Sequence, residues 1–282
     1  MPPVRLGVVA AHFGRDVDRC LSKVLGIVRD AQRSRVDLLV LPHAVLGGYL
    51  TDLHAPDLAD LPPALSSGDA RFEALRQVAG PTTVCLGYTE QAGGARYNAA
   101  LCLSGDGVLG RHRKVHQTSG EDGVYASGAG FSAFDTPVGR VGMLLDHDKS
   151  FPESARSLAL DGADLLACLS AWPASLTNRA ARLVQDRQTR LFDLYDGARA
   201  AENQVVLLSA NQTGAMGGLR FLGQSKVVGP GGDVLARTYA QAGLAVAEVD
   251  VAAEVDRARR VLDLLKQRRP EAYRALPTGA AP

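Results

Sequence analysis

The stretch VGMLLDHDKSFPESARSLALDGADLL, residues 141–166, decides the fold class of this chain. It starts with an apolar run typical of a buried strand, continues with a helical pattern over 152–161, and enters a second apolar run over 164–170. A strand, a helix and a further strand in this order predict an α/β protein. The triplet DHD, residues 146–148, directly follows the first run, at the end of a strand where α/β sheets commonly hold ligands.

About ten short runs rich in Val and Leu predict strands along the chain. They lie at 4–9, 37–42, 82–88, 98–104, 108–114, 141–146, 164–170, 204–210, 224–229 and 244–250. Helical patterns cover 16–33, 69–79, 152–161, 177–203 and 251–268.

Local signals mark the ends of several of these elements. Asp16 and Asp69 are suitable N-caps for the first two helices. Glycine-rich turns at 105–107 and 231–233 predict hairpins. Hairpins combined with helical connections indicate α/β layers with mixed sheets, because a purely parallel sheet contains no hairpins.

Length and composition limit the class of protein. The 282 residues suit one domain, which we place at residues 1–268, followed by a C-terminal tail at 269–282. Hydrophobic residues make up 46% and charged residues 22%, which excludes a disordered, collagen-like or coiled-coil chain. The net charge of +1 offers no electrostatic footprint for nucleic acid or for an anionic membrane.

The sequence predicts a cytoplasmic protein. Its apolar runs fall far short of the roughly 18 residues that a membrane span needs. The N-terminus lacks the charged n-region and the long apolar h-region of a signal peptide. The cysteines sit singly in apolar segments, so we expect buried free thiols in a reducing compartment at Cys20, Cys85, Cys102 and Cys168.

Motifs for cofactors and metals are incomplete. The glycines form no nucleotide-binding fingerprint and no P-loop. His112 and His116 have the spacing of zinc ligands on a helix, but they flank the end of a predicted strand and no HExxH glutamate accompanies them. Alternation would place Asp146 and Asp148 on one face, yet no second cluster has the spacing to complete a metal site. We predict neither a cofactor nor a metal.

Five segments, in order along nearly the whole chain, resemble the carbon-nitrogen hydrolase (nitrilase) superfamily. They are VDLLVLPHAVLGGYL (36–50), YNAALCLSGDGVLGRHRKVH (97–116), the stretch 141–166, RAAENQVVLLSANQTG (199–214) and FLGQSKVVGPGGDVLA (221–236). The resemblance implies a four-layer α-β-β-α sandwich of two mixed sheets and no cofactor.

The same resemblance implies a homodimer. The segment 251–282 is the candidate contact, through apolar residues at helical spacing. These are Val251, Val255, Ala258, Leu262 and Leu265. The stripe could equally pack on its own sheet.

The family uses a catalytic glutamate, lysine and cysteine, and this sequence matches that triad only in part. Lys114 matches the lysine, and Glu121 matches the additional glutamate found near it in many members. His43 stands where the family has its general-base glutamate. Asp146, five residues before a Phe-Pro-Glu motif, stands where the family has its cysteine. The resemblance implies that these four catalytic candidates converge on one pocket, with a substituted triad.

Three further residues are candidates for substrate binding. Tyr49 follows a Gly-Gly turn close to His43. The position of His147, next to the catalytic one, would offer its backbone N–H to a developing oxyanion. Trp172 belongs to a segment that lines the pocket in the family, although it could equally pack beside Pro173.

The replacements change the chemistry that the pocket can perform. Carboxylate attack on an amide gives a high-energy anhydride, so thiol-type amidase or nitrilase turnover is disfavoured. Carboxylates and histidine transfer protons well. We therefore predict acid-base chemistry on a small molecule with an amine, amide, imine or nitrile: hydrolysis, dehydration or imine cyclisation. A catalytically inactive binding or scaffold protein is the alternative. A third hypothesis is direct attack by Asp146 on an activated substrate.

Overall fold

The computed structural model describes residues 2–273, which form five α-helices and fourteen β-strands. The helices are α1 (Val17–Arg33), α2 (Ala70–Ala79), α3 (Pro152–Leu160), α4 (Arg187–Asn203) and α5 (Val251–Arg259). The strands are β1 (Val4–Ala11), β2 (Leu38–Val40), β3 (Thr83–Ala92), β4 (Ala95–Ser104), β5 (Gly107–Arg113), β6 (Phe134–Thr136), β7 (Gly139–Leu145), β8 (Leu165–Ser170), β9 (Val206–Gln212), β10 (Ala215–Met216), β11 (Leu219–Arg220), β12 (Lys226–Val228), β13 (Val234–Arg237) and β14 (Gly243–Val249).

Twelve of the strands form two mixed half-sheets that meet along one short seam. The first half runs β5-β4-β3-β2-β1-β14, and the second runs β6-β7-β8-β9-β12-β13. Parallel pairs such as β7 with β8 alternate with antiparallel hairpins such as β3 with β4. The seam consists of two residue pairs between β1 and β9, Ala10 with Asn211 and Ala11 with Gln212.

The two halves pack face to face, and helices cover both outer faces. Apolar side chains from both halves form the inner core, among them Val8 and Leu38 from one half and Met143 and Leu208 from the other. A second core lies between the first half and helices α1 and α2, and a third lies between the second half and helices α3 and α4. This layering confirms the predicted α-β-β-α sandwich.

Several local predictions are confirmed. Asp16 and Asp69 cap α1 and α2 by accepting hydrogen bonds from backbone N–H groups of the first helical turn. The glycine turn at 105–107 joins β4 to β5, and the turn at 231–233 joins β12 to β13. About ten strands were expected, and the structure has fourteen, because it adds short strands such as β6, β10 and β11 that lack a long apolar run.

The predicted helix 177–203 is too long by ten residues, since α4 begins only at Arg187. The cause is Asp186, the N-cap of α4. Its carboxylate also accepts hydrogen bonds from the backbone N–H groups of Ser175 and Ala180, which holds the preceding segment as an ordered loop.

The predicted helix 251–268 is also too long, since α5 ends at Arg259. The Gln204 side chain donates to the Ala258 and Leu262 carbonyls and accepts from the Leu264 N–H, which fixes a non-helical continuation. Val251 and Val255 pack in the inner core and Leu265 packs against the third core, so three of the five residues of the predicted dimer stripe pack within their own chain. Part of the predicted tail, 274–282, lies outside the described residues.

Candidate active site

The site is built around the turn that follows β7. Residues Asp146–Ser150 form one 3-10 turn, and Asp146 has a φ of +44°, in the left-handed region. Aspartate tolerates this conformation better than most residues, and strained backbone of this kind clusters at functional sites. Because the strand ends at Leu145, alternation does not extend to the aspartates. The prediction that Asp146 and Asp148 share a face is therefore wrong, since the two carboxylates contact different partners.

Asp146 is buried and held from two sides. Its Oδ1 accepts a 2.5 Å hydrogen bond from the Ala171 N–H. Its Oδ2 lies 2.7 Å from His43 Nδ1, so the two side chains form a close buried pair. Burial raises the pKa of Asp146, whereas the attraction of His43 and Lys114 and the Ala171 hydrogen bond lower it. The net pKa lies below the ordinary value, so Asp146 is a carboxylate at neutral pH.

A glycine on the neighbouring strand lets His43 approach Asp146. His43 follows β2 and is fully buried. A Cβ atom at Gly87 on β3 would lie 2.7 Å from His43 Cα, closer than two carbons can pack. Any larger residue at position 87 would therefore push His43 away from its place beside the carboxylate.

Lys114 and Glu121 form a second buried pair beside Asp146. Lys114 Nζ donates to Glu121 Oε2 at 2.5 Å, while Tyr49 Oη and Asn98 Nδ2 donate to Oε1 at 2.5 and 2.7 Å. Burial lowers the pKa of Lys114, but the charges of Glu121 and Asp146 raise it more, and the net pKa lies above its usual value. Burial and the Glu121 charge raise the pKa of Tyr49. Lys114 is thus a fixed cation, and Tyr49 a neutral donor.

Asp148 faces away from Asp146 and holds the turn in place. Its carboxylate accepts from His112 Nε2 and His116 Nδ1, each at 3.0 Å, and from the backbone N–H groups of Val115, His116 and Leu145. The two histidines that have zinc-like spacing therefore bind one carboxylate. Burial raises the pKa of Asp148, but these hydrogen bonds lower it by more. The net pKa therefore lies well below the ordinary value.

We expect Asp148→Asn to lower the free energy of unfolding by about 2–3 kcal/mol at pH 7, because an amide replaces the charged acceptor of several buried donors. The folded-state pKa is depressed, so the ionised carboxylate stabilises the protein above its unfolded pKa near 3.9, and that contribution is lost as the pH falls. Urea unfolding at pH 7, 5 and 3 should show the difference from wild type shrinking below pH 5.

The control for this measurement is Asp135→Asn, which removes an 86% exposed carboxylate. We expect it to change stability by no more than about 0.5 kcal/mol. A difference independent of pH would contradict the assignment.

A cavity of about 320 Å³ opens over Asp146 and Lys114. Tyr49, His147 and Trp172 line it, together with Lys114 and Asp146. His43 and Glu121 do not line it; they are fully buried and contact Asp146 and Lys114. The structure thus brings together all seven residues singled out in the sequence, five at the cavity surface and two behind it.

The sequence-based reasoning missed one whole wall of the cavity. Gln188, Leu191 and Tyr195 from α4 line it, as do Leu53 and Leu176 from loops. The α4 residues recur at a spacing of three and four, which places them on one helix face. That spacing was available in the sequence, but nothing in it indicated that the face points to the cavity.

The part of the chain that the structure describes contains no cluster of three or more His, Cys, Asp or Glu residues arranged to hold a metal ion. No helix within residues 2–273 is long and apolar enough to cross a membrane.

Comparison with known proteins identifies the family of this chain. The model of the carbon-nitrogen hydrolase family matches residues 5–259. This chain belongs to the carbon-nitrogen hydrolase family. A nitrilase from Pyrococcus abyssi is 31% identical over 263 residues, which cover 91% of this chain and 93% of that protein.

Solved structures show the same fold. A carbon-nitrogen hydrolase from Helicobacter pylori G27 superposes with a TM-score of 0.84 at 25% identity, covering 96% of this chain and 97% of that chain. A mutant of the amidase from Nesterenkonia sp. AN1, with acrylamide added to its active-site cysteine, superposes with a TM-score of 0.77 at 24% identity, covering 95% of this chain and 97% of that chain. In the chain described here all four cysteines are buried, and none lines the cavity.

Proposed function

We propose that this member of the carbon-nitrogen hydrolase family acts on a small nitrogen-containing molecule by acid-base chemistry, without a cysteine nucleophile. One observation carries the proposal. A carboxylate, Asp146, lines the cavity on a left-handed turn, with Oδ1 fixed by the Ala171 N–H and Oδ2 held 2.7 Å from His43 Nδ1. A carboxylate that lines a cavity beside a buried ammonium group can exchange protons with a bound water or substrate.

Hydrolysis of an amide illustrates the proposed chemistry. The Asp146 carboxylate accepts a proton from a water molecule as the water oxygen bonds to the carbonyl carbon. The developing negative charge on the carbonyl oxygen is stabilised by the Lys114 ammonium and by the His147 backbone N–H. Asp146 then returns the proton to the nitrogen, the C–N bond breaks, and an acid and an amine leave. Dehydration or imine cyclisation would use the same proton transfers.

His43 and Glu121 are proposed as positioning residues, because each acts through a neighbour. His43 holds the charge of Asp146 from a distance of 2.7 Å, and Glu121 orients the Lys114 ammonium. Tyr49 and Asn98 in turn fix Glu121. The site is therefore preorganised before any substrate enters.

The test is a mass-spectrometric screen of the purified protein against pooled amides, nitriles, carbamoyl compounds and cyclic imines. Asp146→Asn is run beside it, with Glu153→Gln as the matched control, since Glu153 is an exposed carboxylate at the start of α3. We expect product from the wild type and from Glu153→Gln, and none above background from Asp146→Asn. Unchanged turnover by Asp146→Asn would refute the proposed role of this residue.

Single-turnover hydrolysis in oxygen-18 water separates the acid-base route from direct attack. If Asp146 only transfers protons, the label appears in the released acid. If Asp146 attacks the substrate carbon, the amine leaves and a mixed anhydride forms, and water that attacks its aspartyl carbonyl carbon releases the acid and leaves the label in the Asp146 side chain. Label in Asp146 would therefore replace the acid-base proposal with the covalent one.

A non-catalytic binding protein remains the second candidate, and one observation favours it. The lowered pKa of Asp146 makes this carboxylate a weak base. Ligand binding without product from any pool would support this candidate.

Two further properties are proposed with the function. We infer a homodimer, supported by exposed apolar side chains near the end of the described chain, including Val261 and Leu262. We also propose a cytoplasmic location, supported by four buried free cysteines.

A further inference from the structure

The charged side chains of the cavity lining are few. Within the described part of the chain they are Asp146 and Lys114, each beside its buried partner. His147 also lines the cavity, and burial together with the Lys114 charge lowers its pKa, so that it is neutral at pH 7. The rest of the lining includes six uncharged residues that we call the uncharged wall: Leu53, Trp172, Leu176, Gln188, Leu191 and Tyr195. No Asp, Glu, Lys or Arg side chain belongs to that wall in the described part of the chain.

Trp172 has a fixed position and a partner that discourages a cationic ligand. Its Nε1 donates to Gln188 Oε1 at 2.9 Å, which holds the ring against α4. Lys149 Nζ, which is buried and does not line the cavity, lies 5.2 Å from the centre of the ring. The negative potential of the ring therefore already faces one ammonium group. A ligand cation at the uncharged wall would find no carboxylate among its residues in the described part of the chain.

An anionic ligand group has no partner at this wall either. The polar groups there are the Gln188 amide and the Tyr195 hydroxyl, both uncharged. A carboxylate placed against Leu176 and Leu191 would lose its hydration without gaining an ion pair, and unpaired buried charge is strongly unfavourable. The volume of about 320 Å³ is at the small end of ligand cavities.

We propose that the substrates are small amides or related C–N compounds whose remaining substituent is uncharged and apolar, such as an aryl or branched alkyl group. Compounds with a second carboxylate or an ammonium group are excluded by the same wall. This inference rests on the proposed function for the C–N group of the substrate. It adds that Leu191 and Leu176 set the specificity for the remaining substituent of the substrate.

The test measures binding and turnover separately with three probes of similar length. Phenylacetamide is neutral, succinamate carries a carboxylate, and β-alaninamide carries an ammonium group. Calorimetric titration into the Asp146→Asn protein gives Kd without turnover. We expect phenylacetamide to bind at least about tenfold more tightly than either charged probe, a conservative bound for one unpaired charge. Equal or tighter binding of a charged probe, or no binding of any probe, would overturn the inference.

A reciprocal variant tests the wall directly. Leu191→Arg, made in the same Asp146→Asn background, places a cation at the cavity. We expect it to tighten succinamate binding by at least about tenfold and to weaken phenylacetamide binding. Leu194→Arg is the matched control, because Leu194 lies on the same helix and is 62% exposed. It should change neither Kd.

Leu176→Arg serves as the second variant if Leu191→Arg does not fold, as judged by its melting temperature. A folded variant of either kind that leaves the succinamate Kd unchanged would overturn the role of the wall. A failure of this inference can be distinguished from a failure of the proposed function. Neutral probes that bind the wild type without being converted would contradict the chemistry but support the specificity. Conversion of the charged amides without conversion of the neutral ones would support the chemistry but contradict the specificity.

Discussion

Replacing Lys114 with Met is expected to remove turnover and to destabilise the protein at the same time. Lys114 Nζ and Glu121 Oε2 are 2.5 Å apart, and both side chains are fully buried. Without the ammonium group, Glu121 stays behind as a buried unpaired charge, which typically costs about 3–5 kcal/mol of unfolding free energy. The loss of charge stabilisation in the transition state is expected to lower kcat by about 10²–10³-fold.

A double variant separates these two effects. Lys114→Met with Glu121→Gln removes both charges and keeps an oxygen that accepts from Tyr49 and Asn98. We expect it to recover most of the stability in urea unfolding, because no charge is left unpaired, while kcat remains as low as in Lys114→Met. Recovery of kcat together with stability would show that Lys114 has only a structural role.

Replacing Asp196 with Ala is the second change for which we expect a large effect, here on stability. Asp196 lies on α4 and accepts from Lys149 Nζ and Lys226 Nζ, each at 2.7 Å. The ring of Phe192 contacts both ammonium groups, with its centre 3.2 Å from Lys149 Nζ and 4.1 Å from Lys226 Nζ. Asp196→Ala leaves two buried cations without their shared anion. We expect a loss of about 3–5 kcal/mol in urea unfolding at pH 7.

This loss should depend on pH with a definite sign. Burial raises the pKa of Asp196, but the charges of Lys149 and Lys226 lower it to below the ordinary value. Asp196 therefore stabilises the fold above its unfolded pKa near 3.9, and this contribution disappears as the pH falls through the folded-state pKa. The difference between wild type and Asp196→Ala should shrink at pH 3.

Two further variants check the cause of this effect. Asp193→Ala removes a carboxylate that is 40% exposed and lies 3.0 Å from Lys226 Nζ, and we expect it to cost no more than about 1 kcal/mol. The triple variant Lys149→Met, Asp196→Leu, Lys226→Met replaces the buried charges by apolar groups and should approach wild-type stability. If Asp193→Ala cost as much as Asp196→Ala, burial would not be the cause.

The Asp196 network also joins the cavity to the core. Lys149 belongs to the same turn as Asp146, and it lies between Asp196 and the ring of Trp172. Arg199 on α4 donates to the carbonyls of Lys149 and Ser150. Helix α4 therefore supports the turn through charge and through hydrogen bonds, while its Leu191 and Tyr195 line the cavity.

The sequence predicted the elements whose signals are local. The strand over 141–146, the helix that follows it and the cap at Asp16 depend on residues within a few positions of one another, and each is found where expected. Two helix boundaries failed because distant side chains set them. Asp186 accepts hydrogen bonds from N–H groups of the preceding loop. The side chain of Gln204, which directly follows α4, donates to the Leu262 carbonyl beyond the end of α5.

Order along the chain was enough to identify the family fold and to name seven residues that the structure gathers at one site. The tertiary structure alone decided what those residues contact. It turned Asp146 and Asp148 to different partners, because the strand ends at Leu145 and a left-handed residue follows. It also placed the face of α4 over the cavity. Such arrangements depend on packing between segments far apart in sequence, and no local pattern encodes the distance or the angle at which those segments meet.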